Sequence, residues 1–262
     1  MINKLVEQIN NLRKYYDLII ELVVRDIKVK YKRSVLGLIW SILNPLLMMS
    51  VMTIIFSSIF KSDIKNFPVY LISGQVIFNF FSEATNMSMI SIIGNGELIK
   101  KVYIPKYIFP LSKVLFSLVN LIFSLIAVMI VCLATKLEIG PAILMFPLPI
   151  LYVFIFSLGI GLILSSYAVF FRDLLHLYSV VLMLWMYLTP IFYPVTIVPE
   201  KFMIFIKLNP IYYYIEYFRS ILLYNEIPTL SLNLICLGYS FFFLILGIFV
   251  FSKKQDNFIL YI

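Results

Sequence analysis

A few ionisable side chains stand out against an otherwise apolar sequence. Glu83 is a carboxylate inside a long apolar run, where burial costs at least a few kcal/mol unless the group is protonated, paired or wet. A carboxylate so placed contacts a substrate, passes protons or bonds to a neighbouring helix, and it faces the protein interior. Glu216 and Arg219, three residues apart in the aromatic stretch Tyr212 to Arg219, fall on one face of a helix and can pair. Arg25, Lys28, Lys30, Lys32 and Arg33 form a basic segment just before a charge-free run, a pattern that anchors a chain to anionic headgroups. A second basic cluster, Lys100, Lys101 and Lys106, shares a polar loop with Glu97 and the helix breaker Pro105.

Other chemistry lacks its residues. No glycine is followed by the Lys-Ser or Lys-Thr pair of a phosphate loop, so this chain is not expected to hold ATP and magnesium by that route. Gly94-Asn95-Gly96 and Gly159-Ile160-Gly161 lack a third glycine and a preceding strand, and close helix packing explains the second. The single histidine, His176, cannot build a multi-histidine metal site. Cys132 and Cys236 lie in apolar runs and act as small hydrophobes. No catalytic residue and no metal ligand set is assigned.

The elements that position these residues follow from composition. The chain is 62% hydrophobic and 13% charged, with mean hydropathy +1.01, too apolar for a soluble domain of this size. A net charge of +8 beside apolar runs points to lipid headgroups and not to nucleic acid. Charge-poor runs long enough to cross hydrocarbon extend over about 34–60, 66–93, 108–135, 141–171, 174–193 and 230–252. Six crossings put both ends on one side, and the basic N-terminal segment, the loop around Lys100 and the tail with Lys253 and Lys254 make that side cytoplasmic.

Ahead of the first crossing, Leu5, Ile9, Leu12, Tyr16, Ile19, Val23 and Ile27 recur in steps of four and three. That periodicity predicts an amphipathic helix lying in the membrane interface or packed on protein. The first thirty residues lack the compact apolar run of a cleavable signal. Between Glu200 and Pro228 short apolar stretches alternate with Lys207, Glu216, Arg219 and Glu226, predicting a pair of half-helices that dip in and out. The domain reading is an interfacial helix and basic segment over 1–33, a six-span domain over 34–252 and a cytoplasmic tail over 253–262. The fold class is an all-α integral membrane protein.

The order of these pieces resembles a known family. The run from Arg25 through Lys28, Lys30, Tyr31, Lys32, Arg33 and Ser34 to Gly37, Trp40, Asn44 and Pro45 resembles the opening of permease subunits of type-2 ABC exporters that move O-antigen, capsule or teichoic-acid polymers. The likeness continues at Leu98 to Lys106, at Phe170-Phe171-Arg172-Asp173, at Tyr187 to Pro194 and at Leu208-Asn209-Pro210. It implies a homodimer in the bacterial cytoplasmic membrane, two copies of a separate ATPase subunit that carries the ATP and magnesium, and a lipid-linked glycan as cargo. It further implies that Glu97, Lys100, Lys101, Tyr103, Pro105 and Lys106 form a coupling segment under the ATPase. Two short gating helices on the outer side, with Tyr213, Glu216 and Arg219, are implied between the last two spans. On that mechanism Arg25, Lys28, Lys30, Lys32 and Arg33 attract the carrier's pyrophosphate, and Phe80, Glu83, Trp185, Tyr187 and Tyr193 are candidates to line the conduit.

Three rivals keep part of this picture. A permease for a drug or small lipid retains the fold, and a proton-coupled carrier makes Glu83 indispensable. A membrane-embedded glycosyltransferase needs clustered acidic or histidine residues, for which Arg172-Asp173 is too sparse.

Overall fold

The computed structural model describes residues 13–32, 34–59, 64 and 66–262. Leu5, Ile9 and Leu12 of the amphipathic pattern, the basic residue Arg33 and the loop residues Lys61 and Lys65 lie outside the described residues. Every regular element among the described residues is helical. They are α1 (Tyr16–Tyr31), α2 (Trp40–Ile59), α3 (Phe67–Met89), α4 (Ser91–Gly94), α5 (Gly96–Lys101), α6 (Ile108–Ala134), α7 (Pro147–Ala168), α8 (Leu174–Leu188), α9 (Met203–Lys207), α10 (Pro210–Leu222) and α11 (Leu230–Lys254). Short 3-10 turns precede α2, α7 and α9, and another follows α11 over Gln255–Leu260.

Four helical stretches among the described residues are long and apolar enough to cross a membrane: Gly37–Phe56, Ile108–Ala134, Pro141–Ala168 and Leu230–Leu260. α3 has comparable length but carries Ser73, Gln75, Glu83, Thr85 and Ser88. It can do so because it is the most enclosed helix, packed on both α6 and α7, with nearly all of its first half buried. Enclosure replaces lipid by protein partners for most of those polar groups: Thr85 donates to Phe81 O (2.7 Å), and Ser88 donates across to Pro110 O (3.2 Å).

α8 departs most from expectation. A run predicted to reach Tyr193 stops as helix at Leu188, giving roughly 23 Å of rise, short of the roughly 30 Å hydrocarbon core. Thr189 is extended, as the residue before a proline prefers, and backbone from there to Pro199 is largely irregular. The two predicted half-helices correspond to α9 and α10. α10 is no surface element, since Ile211, Tyr214, Ile215, Tyr217, Phe218 and Arg219 are all buried.

α7 and α11 form the closest helix pair. A Cβ added to Gly247 would collide with Gly159 O, and one added to Gly159 would collide with Phe243 O. Small residues let the two backbones approach, which is how helices associate where lipid is as apolar as the side chains. Gly238, on the same helix, has open space around it. Gly247→Leu is therefore expected to cost roughly 2–3 kcal/mol through overpacking, while Gly238→Ala is neutral or slightly stabilising. Thermal unfolding of the two variants in one detergent checks this, and equal midpoints would refute the backbone contact.

Candidate functional site

The loop between α3 and α6 is built to present one face. Asn95, buried between α4 and α5, donates its amide to Ser91 O (2.7 Å) and accepts from Arg25 Nη1 (3.2 Å), so the turn is fixed from both sides. Ile99 packs inward at 7% exposure. Glu97, Lys100, Lys101, Val102 and Tyr103 point outward, Tyr103 almost completely. Glu97 and Lys101 approach to 3.9 Å, both well exposed, an arrangement worth little in energy. It leaves the face free to bind something else. Pro105 and Lys106 are half-buried and do not share that face: Lys106 Nζ donates to Gln255 O at 2.6 Å. Burial pulls the Lys106 ammonium below the ordinary lysine range, with Asp256 opposing the shift.

Helix α1 docks on protein through Ile19, Leu22 and Asp26, and leaves Tyr16 and Ile20 exposed. Of the two alternatives for its apolar stripe, packing on protein is observed at Ile19 and Leu22. Its register is set by two ion pairs. Asp26 Oδ2 meets Lys113 Nζ of α6 at 2.7 Å, with both side chains about nine-tenths buried, and Arg25 donates to the other Asp26 oxygen (3.1 Å). One turn on, Lys30 Nζ meets Glu83 Oε1 at 2.7 Å. Asn120 donates to both Glu83 oxygens (3.0 and 3.1 Å), and Tyr31 donates to Asn120 Oδ1 (3.3 Å).

Glu83 is therefore paired, as an interior carboxylate must be, and its partners come from α1 and α6. Of the predicted basic group, Arg25 and Lys30 are committed to these pairs. Lys28 and Lys32 are exposed and make no ion pair among the described residues. They border an open groove of about 690 Å³ between α1 and the turn at Gly37, with Glu21 and Tyr31.

The opposite end is a second constellation. Asn209 caps α10 by accepting from Ile211 N (3.0 Å), accepts from Trp185 Nε1 (2.8 Å), and donates to Thr189 Oγ1 (2.8 Å). The segments around Tyr187 to Pro194 and Leu208 to Pro210 thus meet in one knot. The predicted Glu216–Arg219 pair does not form, because Arg219, 1% exposed, turns to main-chain carbonyls. It donates to Pro190 O (2.9 Å), Tyr70 O (3.0 Å) and Ile191 O (3.3 Å). Its guanidinium lies 3.4 Å from the Tyr70 ring centroid. The irregular backbone after α8 has unpaired acceptors, and five fixed donors satisfy them better than a carboxylate contact would. Tyr213 donates to Lys207 O (2.8 Å).

The predicted conduit aromatics do not share a surface. Phe80 is in the core at 3% exposure, whereas Tyr187 is 62% exposed. Trp185 has its N–H on Asn209, and the Tyr193 hydroxyl donates to Tyr187 O (2.8 Å). Sequence reasoning passed over Asp26, Lys113 and Asn120, and named Asn209 only as part of a family motif. A lysine five residues inside an apolar run was a signal for the first pair, but its partner 87 positions earlier was not legible.

Residues 17–223 match the model of the family described as "ABC-2 type transporter". The chain is 32% identical over 251 residues, 95% of its length and 96% of the relative's, to the "O-antigen export system permease protein RfbA" of Klebsiella pneumoniae. It is 27% identical to the protein of that name from Myxococcus xanthus, covering 97% of this chain and 98% of that one. To the "Polysialic acid transport protein KpsM" of Escherichia coli it is 23% identical, over 90% and 92% of the two lengths.

Proposed function

The chain belongs to the ABC-2 type transporter family, and from that premise we propose that it is the membrane-spanning permease subunit of an ATP-driven exporter of cell-surface polysaccharide. The observation that carries this reading is near full-length similarity to permeases whose names specify O-antigen export and polysialic acid transport. Export of a lipid-linked glycan across the cytoplasmic membrane follows as the reaction class. The cargo is carried, not chemically changed, so ATP hydrolysis belongs to a separate ATPase chain.

On this reading the four long apolar helices, α3 and α8 make six crossings, with α9 and α10 re-entering from outside. α8 completes its crossing with the irregular segment held by Arg219. Such backbone is tolerated at depth only where protein satisfies it, and Arg219 supports that placement. Both ends then lie in the cytoplasm, on the same side of the membrane as the α4–α5 loop. Glu97, Lys100, Lys101 and Tyr103 offer a charged, solvated face to a soluble subunit, which supports their role in coupling. Two copies of the chain, each over one ATPase subunit, close a conduit along the exposed face of α8, where Tyr187 offers a flat ring to passing sugars. Lys28 and Lys32, exposed beside an open groove, suit a diphosphate headgroup entering from the cytoplasmic leaflet.

The experiment is copurification with the ATPase subunit, followed by reconstitution with a fluorescent polyprenyl-diphosphate oligosaccharide. ATP-dependent protection of the probe is expected. Reversing charge at Lys100 and Lys101 (Lys100→Glu, Lys101→Glu) is expected to lower export about tenfold or more, on the scale of one to three kcal/mol of coupling. Intact export in that double variant would remove the coupling assignment.

A further inference from the structure

The segment that follows α11 does not hang free. Phe258 is fully buried, edge-on to Phe251 of α11 (5.4 Å between centroids) and tilted against Phe170 at the end of α7 (6.0 Å). Tyr261 meets Phe170 edge-on at 4.9 Å between centroids. Lys106 donates to Gln255 O and lies 5.8 Å over the Phe258 ring. Ile262 reaches α5: a Cβ added to Gly96 would collide with Ile262 Cγ2 but stand 3.6 Å from Ile262 Cβ.

The eight residues 255–262 therefore touch α5 at Gly96, the loop after it at Lys106, and the ends of α7 and α11. α7 and α11 are themselves locked by backbone contact at Gly159 and Gly247. A push on α5 has two routes into the helices: the covalent one into α3 and α6, and this noncovalent one into the α7–α11 pair.

We propose that residues 255–262 are a strut that couples α5 to the α7–α11 pair, so that displacement of α5 by the ATPase subunit moves that pair together with α3 and α6. Ile262, seated over Gly96, is a positioning residue, because it touches neither cargo nor nucleotide. The proposal rests on the reading of α5 as the ATPase contact. Energetic coupling through such a contact needs an element with two arrangements, and a short segment held by one methyl group in a notch, one hydrogen bond, three ring contacts and a lysine over one ring can disengage without unfolding a helix.

The test uses the complete permease–ATPase complex in liposomes with the fluorescent polyprenyl-diphosphate oligosaccharide, comparing wild type, Gly96→Ala, Ile262→Ala and the double variant. Gly96→Ala expels Ile262 from its notch. Export is expected to fall about tenfold while the copurified ATPase subunit and ATP hydrolysis stay within about twofold, so that ATP consumed per probe exported rises. In the double variant the two added or remaining Cβ atoms fit at ordinary contact distance, and export is expected to recover most of the loss. Phe258→Ala, which removes the strut's anchor, should behave as Gly96→Ala does.

Unchanged export in Gly96→Ala and Phe258→Ala would overturn the strut. So would loss of hydrolysis or of the ATPase subunit in proportion to export, or failure of Ile262→Ala to rescue Gly96→Ala. Absence of ATP-driven export by the wild-type complex would instead count against the exporter reading on which the strut rests.

Discussion

Asp26→Ala is expected to lower stability by about 3–5 kcal/mol, because it leaves the ammonium of Lys113 buried without its counter-charge. The pair is short, at 2.7 Å, and both side chains are about nine-tenths buried. Removing either partner is far more costly than the net worth of the pair itself. Lys30→Gln is the comparison: it breaks an ion pair of the same length whose side chains are 41% and 29% exposed, and water offsets most of that loss, leaving about 1 kcal/mol or less. Thermal unfolding in mild detergent should separate the two, with the larger loss shifting the midpoint by roughly 10 °C. Exchanging the charges, Asp26→Lys with Lys113→Asp, should recover part of it. Equal midpoints for Asp26→Ala and wild type would show that α1 is held by its apolar contacts alone. Docking can be followed independently through a cysteine placed at Ile19, which should label faster in Asp26→Ala.

Arg219→Leu is the second large effect. Hydrogen bonds from a charged donor contribute roughly 1.5–3 kcal/mol each, and a carbonyl left bare costs a similar amount. Not all of this is lost, because Tyr70 O keeps the Ser73 hydroxyl at 2.9 Å and Pro190 O keeps the Tyr70 hydroxyl at 3.2 Å. The contact with the Tyr70 ring adds about 2 kcal/mol where water is excluded, and the desolvation of a buried cation is regained. A net loss of about 3 kcal/mol follows, localised to the backbone between Thr189 and Tyr193. Arg219→Lys should recover little, since one compact ammonium cannot serve carbonyls on both α3 and the segment after α8. Gly74→Ala should reproduce part of the effect without touching the arginine, because the added Cβ would stand 2.8 Å from Arg219 Nη2. Hydrogen exchange in the 189–193 segment is the readout, and unchanged protection in Arg219→Leu would mean that other contacts hold the segment.

Both effects concern residues whose chemistry was visible in the sequence but whose partners were not. Glu83 could be recognised as a carboxylate needing a partner, since an apolar run raises the cost of any bare charge. That the partner is Lys30, 53 positions earlier, depends on how α1 lies across α3 and α6. Arg219 and Glu216 could be placed on one helix face, and helical spacing alone favours pairing them. The pairing failed because the chain after Leu188 leaves the helix, and the acceptors this creates outcompete the carboxylate. The proline-rich stretch marked the break, while periodicity ran the span on to Tyr193.

What the sequence determined by itself is what depends on local composition. Hydrocarbon-length apolar runs, the basic segments that flank them, the exposed charged loop before α6 and the ordered motifs of an ABC-2 permease are all written in neighbouring residues, whose transfer energies need no knowledge of the fold. What only the tertiary structure decided is which buried polar groups meet: Asp26 with Lys113, Asn209 with Trp185 and Thr189, Arg219 with the carbonyls of α3 and the segment after α8. These contacts join positions up to 149 apart. They are fixed by helix packing, because a polar group removed from water must find a partner wherever the backbone happens to bring one.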